Sequence, residues 1–225
     1  MQTVENNDLG LVGYREAWRQ QENLLEKLAA EKQAGVCGPH YLLMTEHPHV
    51  YTIGKNGNQA NMLADSIRLK STGAELIRVD RGGDITYHGP GQLVVYPVFR
   101  LDLLGTGIKE YIRKLEEIVI RTVGEYGVEG SRMDGAAGVW IDVHSPKARK
   151  ICAIGVRCSR SVTMHGFALN VGTDLKYFSY IHPCGFTDKG VTSLNTETGK
   201  ITDMNEVKLS IRRHFEEIFG IRFIS

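Results

Sequence analysis

The chain has 225 residues, 42% of them hydrophobic and 24% charged, with a formal net charge of +1. That length suffices to bury a core, and the near-zero charge gives no general argument for a nucleic-acid or membrane-surface partner. The first twenty residues, MQTVENNDLGLVGYREAWRQ, hold no apolar run of signal-peptide length, and no stretch approaches a membrane span, so a cytoplasmic protein is expected.

A helical period opens at Tyr14 and runs through Ala17, Trp18, Gln21, Leu24, Leu25 and Leu28, fading near Gly35. HYLLMTEH and VYTIG then read as two short strands around His47-Pro48-His49, and KNGNQANML, residues 55–63, reads as a polar loop. AELIRVD predicts another strand that enters the glycine-rich run RGGDITYHGPGQ, after which LVVYPVF reads as a buried strand. Ile108, Tyr111, Ile112, Leu115, Ile118, Val119 and Thr122 define a second amphipathic helix. GVWIDV, KICAIGVRC and VTMHGFALNV follow as three strands, and a last helix turns Val207, Ile211, Phe215, Ile218 and Phe219 to one side. Strands and helices mix without regular βαβ alternation, which predicts an α+β or mixed-sheet fold. No repeat or linker divides the chain, so a single domain over 1–225 is expected.

The chemistry-bearing residues leave alternatives open. RGGDITYHGPGQ places glycines at 82, 83, 89 and 91, where backbone N–H groups approach a ligand closely and Arg81 is at hand to pair with a polar or anionic group. It is neither a P-loop nor a GxGxxG motif, and a strand connection with unusual dihedrals explains it equally well. His88 suits a proton carrier or a hydrogen-bonded structural histidine. In KICAIGVRC a regular strand puts Lys150, Cys152, Ile154, Val156 and Cys158 on one face, so Lys150 either snorkels from the strand end or sits in a site. Lys147, Arg149, Arg157 and Arg160 read as a solvated basic surface. His165, like His88, precedes a glycine at a strand edge, but no HxxxH or CxxC spacing supports a metal, and hydrogen-bonded histidines fit better.

The four cysteines, Cys37, Cys152, Cys158 and Cys184, form no CxxC pair, and a reducing cytosol argues against disulfides. Cys184 is the nucleophile candidate, because IHPCGF sets it in a shaped turn between Pro183 and Gly185. A free thiol with a pKa of about 8.5 needs a cation or base to act at neutral pH, here His182, His88, His165 or Lys150. The local signatures of papain-type or caspase cysteines are absent.

Three segments together, RGGDITYHGPGQLVVYPV, KICAIGVRCSRSVTMHGFALNV and HPCG followed by VTSL, resemble the octanoyl-[acyl carrier protein]:protein N-octanoyltransferases. The resemblance spans roughly Arg81 to Leu194, with the segments in order. It implies a mixed sheet flanked by helices, as in the catalytic domain of biotin and lipoate protein ligases. It implies that Cys184 attacks the thioester of octanoyl-acyl carrier protein and holds the acyl group, and that Lys150 lowers the thiol pKa and relays protons. The acceptor is then a lysine on the lipoyl domains of 2-oxoacid dehydrogenase complexes or the glycine-cleavage H protein, with no cofactor or resident metal. The resemblance places Arg81, Gly82, Gly83, Asp84, Ile85, Thr86, Tyr87 and His88 at the acyl site, with Ala153, Ile154 and Gly155, and with Gly166, Phe167 and Ala168. Backbone N–H groups near Gly155 or Gly166 are candidates for the oxyanion, and the basic group at Lys147, Arg149, Arg157 and Arg160 is expected to dock the acidic carrier. The rival readings are an ATP-dependent lipoate-protein ligase of the same fold, a non-catalytic lipoyl-domain binding module, and a cysteine hydrolase.

Overall fold

Nine strands pair into one mixed sheet and three into a smaller one, in a computed structural model that describes residues 1–58, 61–63, 72–182 and 189–224. The strands are β1 (Thr3–Leu11), β2 (His40–Glu46), β3 (Val50–Ile53), β4 (Glu75–Arg78), β5 (Ile85–His88), β6 (Gln92–Val98), β7 (Ser131–Met133), β8 (Ala136–Ile141), β9 (Arg149–Ser159), β10 (Val162–Asn170), β11 (Gly190–Val191) and β12 (Arg222–Ile224). The helices are α1 (Tyr14–Gln33), α2 (Ile108–Gly124), α3 (Leu194–Thr198) and α4 (Met204–Phe219), with a 3-10 helix over Leu175–Tyr180. The large sheet runs β12-β1-β2-β6-β10-β9-β8-β7, and β11 pairs with β9; the small sheet runs β4-β3-β5. The sheet is mixed because β1 lies parallel to both β2 and β12, while β2, β6, β10, β9 and β8 meet antiparallel.

Each face of the large sheet is covered by the stripe the sequence provides. α2 and α4 press Leu115, Ile118, Val119, Ile211 and Phe215 onto Leu42, Val95, Phe167 and Leu169. α1 covers the opposite face with Ala17 against Leu43, Val94, Tyr96 and Ala168. The small sheet adjoins the start of α1, where Tyr14 and Trp18 pack on Val50, Ile77 and Val79. Asp203 caps α4 by accepting from the Asn205 N–H at 2.8 Å, and Gly220 ends it in the left-handed region at φ 62°. Among the described residues no helix is long and apolar enough to cross a membrane.

The β9–β10 hairpin fixes the centre of the molecule. Its two-residue loop, Arg160-Ser161, has both φ angles positive, at 53° and 67°, the twist that antiparallel strands require. This turn sets the register in which Gly155 faces Gly166 and Ala153 faces Ala168.

The predicted helices and the strands of the centre stand where periodicity put them. The glycine-rich run differs, because ITYH within it forms β5 and buries Ile85 and Tyr87 against the Leu175–Tyr180 helix. β9 departs from regular alternation too. Cys152 pairs with Val139 and Lys150 with Trp140, so Ile151 is one residue too many and the strand bulges. Ile151 and Cys152 both go to the core, and Lys150 returns to the side lined by Ala153 and Gly155.

Candidate active site

A cleft lies where the small sheet faces the large one. Its floor comes from β9 and β10, at the cross-strand pairs Ala153–Ala168 and Gly155–Gly166. Small residues leave depth there. Its roof is the Arg81–Asp84 turn with Ile85, Thr86 and His88 of β5. The turn is pinned to the floor strand by the Gly82 N–H, which donates to Val156 O at 3.0 Å. A Cβ on Gly155 would stand 2.8 Å from Gly82 O, so only glycine lets turn and strand approach this closely.

Lys150 closes one end. It is 8% exposed, with Nζ 4.5 Å from the centroid of the Trp140 ring and 3.4 Å from Ala137 O. A lysine snorkelling from the strand end into water would be exposed, and Lys150 is not. β11 lies alongside, pairing Gly190 with Arg149 and Val191 with Lys150.

A line of buried amides links the roof to this end. His88 Nδ1–H donates to Gln92 Oε1 at 2.7 Å, and Gln92 Nε2 donates to Asn170 Oδ1 at 2.8 Å. Asn170 Nδ2 donates to Thr192 O at 2.9 Å, and the Thr192 N–H donates to Lys150 O at 3.0 Å. Burial pushes the His88 imidazole well below its ordinary pKa, and its Nδ1 proton is committed to Gln92. The hydrogen bond fits the structural reading of His88, which lines the cleft wall. Arg81 is likewise engaged: its guanidinium donates to Thr52 O at 2.8 Å, Thr52 Oγ1 at 2.9 Å and Gly82 O at 3.0 Å. It holds the turn to β3.

The other end is lined by Tyr14, Arg81, Tyr96 and His165. His165 has φ 57°, an uncommon conformation for a non-glycine residue and more so inside a strand. Its imidazole meets Trp18 of α1 at 6.2 Å between centroids, and its Nε2 lies 2.8 Å from Asp80 Oδ1. Its backbone N–H donates to Gln21 Oε1 at 2.8 Å, which explains a buried glutamine in the apolar stripe of α1. Burial pushes His165 down, and the hydrogen bond from its ring holds the Asp80 carboxyl below the usual carboxylate range.

Most of the expected acyl-site residues come together here. Arg81, Gly83, Asp84, Ile85, Thr86, His88, Lys150, Ala153, Ile154, Gly155, Gly166, Phe167 and Ala168 all line the cleft. Gly82 and Tyr87 do not. Gly82 serves through its backbone bond to β9, and Tyr87 points to the far face of β5, where its hydroxyl meets His49 Nδ1 at 2.7 Å. Cys184 lies outside the described residues. Gly155 and Gly166 lie mid-ladder, about 13 Å along β9 from Lys150, and line the floor of the cleft.

The expected basic surface is not one patch. Arg149 and Arg157 sit near opposite ends of β9. Arg149 grips Glu197 with two hydrogen bonds of 2.6 Å and also pairs with Asp142, while Arg157 pairs with Asp80. With His165, the residues Tyr14, Gln92, Val94, Tyr96, Asn170, Phe178 and Val191 complete the lining, and sequence reasoning did not single out these seven as site residues. Gln92 had a signal, as the last residue of RGGDITYHGPGQ.

Comparisons with known proteins bear on the fold and the family. Residues 13–216 match the model of the lipoyl protein ligase A/B catalytic domain. An octanoyltransferase of Bacteroides fragilis is 54% identical over 213 residues, covering 95% of this chain and 96% of its own. One from Flavobacterium johnsoniae is 48% identical over 228 residues, covering 98% of each chain. Among solved structures, a bi-partite lipoate protein ligase from Thermoplasma acidophilum superposes with a TM-score of 0.73 at 19% identity, covering 100% of this chain and 87% of its own. The biotin protein ligase of Aquifex aeolicus follows at 0.52 and 14%, covering 97% and 69%; both speak for the fold alone. With a lysine-ended cleft on that fold and half its residues shared with those relatives, the chain belongs to the octanoyltransferases, acyltransferases built on the lipoyl protein ligase A/B catalytic domain.

Proposed function

We propose that this enzyme takes an octanoyl group from octanoyl-acyl carrier protein, holds it as a thioester on Cys184, and passes it to a lysine amine on a lipoyl domain. The acceptors are the lipoyl domains of 2-oxoacid dehydrogenase complexes and the glycine-cleavage H protein. The observation that carries the reading is Lys150, an amine 8% exposed at one end of a cleft floored by alanines and glycines. Connectivity supports it further, since β11 begins at Gly190, six residues after Cys184, and pairs beside Lys150.

The chemistry balances on these groups. The Lys150 ammonium favours the Cys184 thiolate, which attacks the carrier thioester. As the tetrahedral adduct collapses, the C–S bond to the carrier breaks and its thiolate takes a proton from Lys150. The acceptor lysine arrives as an ammonium, and neutral Lys150 removes its proton. The free amine attacks the octanoyl-enzyme; as the C–S bond to Cys184 breaks and the amide forms, the nitrogen's second proton passes to the leaving sulfur and is released to solvent, which restores the Cys184 thiolate with Lys150 again an ammonium. The apolar floor takes the acyl chain, at about 0.8 kcal/mol per buried methylene.

Intact mass after mixing with octanoyl-acyl carrier protein, without ATP, tests the reading. The wild type is expected to carry one octanoyl adduct, removed by hydroxylamine and absent from Cys184→Ser. No adduct on either protein would favour the ATP-dependent ligase or the binding module, and an ATP-exchange assay would separate those two.

A further inference from the structure

We propose that Glu116, on the opposite face of the sheet from the cleft, is a positioning residue for the acyl transfer, acting on Lys150 through the single peptide group that joins Ala137 to Gly138. The inference rests on the octanoyl-transfer reading above.

Glu116 is an unexpected residue where it stands. α2 turns Leu115, Ile118 and Val119 into the core, and Glu116 is buried with them at 7% exposed. A carboxylate withdrawn from water costs free energy unless its oxygens find donors. Here Oε1 accepts from the Gly138 N–H at 3.1 Å, and Oε2 accepts from Arg132 Nε at 3.1 Å. Its neighbour Glu117 shows the ordinary arrangement, pairing with Arg121 and Arg132 where all three are partly exposed.

The other end of the same peptide faces Lys150, whose Nζ donates to the Ala137 carbonyl at 3.4 Å. In a trans peptide the C=O and N–H point in opposite directions, so one rigid plane reaches the carboxylate on the α2 side and the ammonium on the cleft side. Its dipole suits both charges, the N–H end toward the anion and the C=O end toward the cation. Gly138 gives the backbone this shape. Its φ is 125°, and a Cβ there would stand 2.4 Å from Cys152 O, so only glycine fits. Lys150 leaves β9 opposite Trp140 and runs back along Gly138, its Cδ 3.6 Å from where that Cβ would be.

The glycine that opens this path also loosens it, because a peptide beside glycine rotates at little steric cost. The Glu116 hydrogen bond supplies the missing restraint and keeps the Ala137 carbonyl aimed at Nζ. Proton transfer needs the donor and acceptor within hydrogen-bond reach, so an Nζ that wanders serves neither the departing carrier thiol nor the incoming amine.

Three variants separate this hydrogen bond from the charge and from the ion pair. Glu116→Asp keeps the charge but, one methylene shorter, draws the carboxylate away from the Gly138 N–H. Arg132→Met removes the ion pair and leaves that bond. Glu116→Gln in the Arg132→Met background removes both charges, and its amide oxygen still reaches the N–H. Single-turnover rates of octanoyl-enzyme formation and of transfer to the lipoyl domain are read for each, with urea midpoints alongside. Glu116→Asp is expected to slow both steps about tenfold or more, with the half-saturating concentrations of carrier and lipoyl domain unchanged. Arg132→Met, alone or with Glu116→Gln, should keep both rates within about threefold of the wild type even where the midpoint falls. In a Lys150→Met background Glu116→Asp should slow nothing further, a non-additivity that a purely structural role would not produce.

The proposal is overturned if Glu116→Asp reacts at the wild-type rate, or if Arg132→Met, alone or with Glu116→Gln, is as slow as Glu116→Asp. Additive losses in the Lys150→Met background overturn it as well. A wild type that forms no octanoyl-enzyme would instead sink the octanoyl-transfer reading, which is a distinct result.

Discussion

Lys150 has its position because β9 bulges at Ile151, and its surroundings because Trp140 lies across the bulge. Its two proposed roles, a positive charge for the thiolate and an exchangeable proton for the second step, are separable by substitution. Lys150→Arg keeps a charge but presents a group that does not deprotonate in proteins. The octanoyl-enzyme is therefore expected to form and accumulate in this variant, while transfer to the lipoyl domain falls by about 10² to 10⁴, the usual contribution of a general base. Lys150→Met should slow both steps. Single-turnover mass spectrometry of the acyl-enzyme and of the acceptor reads the two separately, and equal loss in both steps for Lys150→Arg would merge the roles. The charges at Arg149 and Arg157 teach a different lesson at this scale. Each is spoken for by acidic partners distant in the sequence, Glu197 and Asp80, which no local pattern reveals.

Among the elements, the β9–β10 hairpin bears most of the site, and its sequence is unusual at two points. The turn uses Arg160-Ser161 where both φ angles are positive, and Asn-Gly is the pair that adopts this turn with least strain. Arg160→Asn with Ser161→Gly is expected to raise stability by about 1 kcal/mol, read as a higher urea midpoint with unchanged slope. Gly166 is the opposite case. A Cβ there would stand 2.2 Å from Val95 O and 2.7 Å from Pro97 Cδ, and the backbone of β6 cannot yield. Gly166→Ala should lose about 3 kcal/mol, at the upper end for overpacking, and an unchanged midpoint would mean the two strands separate easily. The helices α1, α2 and α4 were legible because each carries one apolar stripe. β1 was not, since TVENNDLGL buries only Val4 fully and pairs through its backbone near the sheet edge. β5 was hidden by flanking glycines, and the bulge by the fact that alternation has no local marker for an extra residue. The residues that line the cleft were mostly legible by resemblance, whereas the tie between Asp80 and His165 spans 85 positions and emerges only from the fold.

Across the whole molecule, several buried histidines are built into the hydrogen bonding as neutral rings, and this dictates an acid limit. Burial pushes His40 down to about 4, and its Nε2 accepts from the Arg100 N–H at 3.2 Å. Burial pushes His47 to about 4 as well; its Nδ1 donates to Val12 O, leaving Nε2 to accept from the Tyr96 hydroxyl. His88 and His165 are lowered for the same reason. In each case the folded pKa lies beneath the unfolded value of about 6.5, so as pH falls the unfolded chain takes up the proton first. Stability is complete above pH 6.5 and declines from there toward pH 4, each histidine adding a slope of up to about 1.4 kcal/mol per pH unit. The carboxylates held low by hydrogen bonds, Asp80 from His165 and Glu197 from Arg149, extend the loss below pH 4. Urea midpoints at pH 7.5, 6.0 and 5.0 are expected to fall steeply, and His40→Gln should remove up to one histidine's share of the slope. A midpoint that holds constant from pH 7.5 to 5.0 would mean that these rings accept protons inside the fold without penalty. The tautomers assigned to His47 and His88 would then need revision.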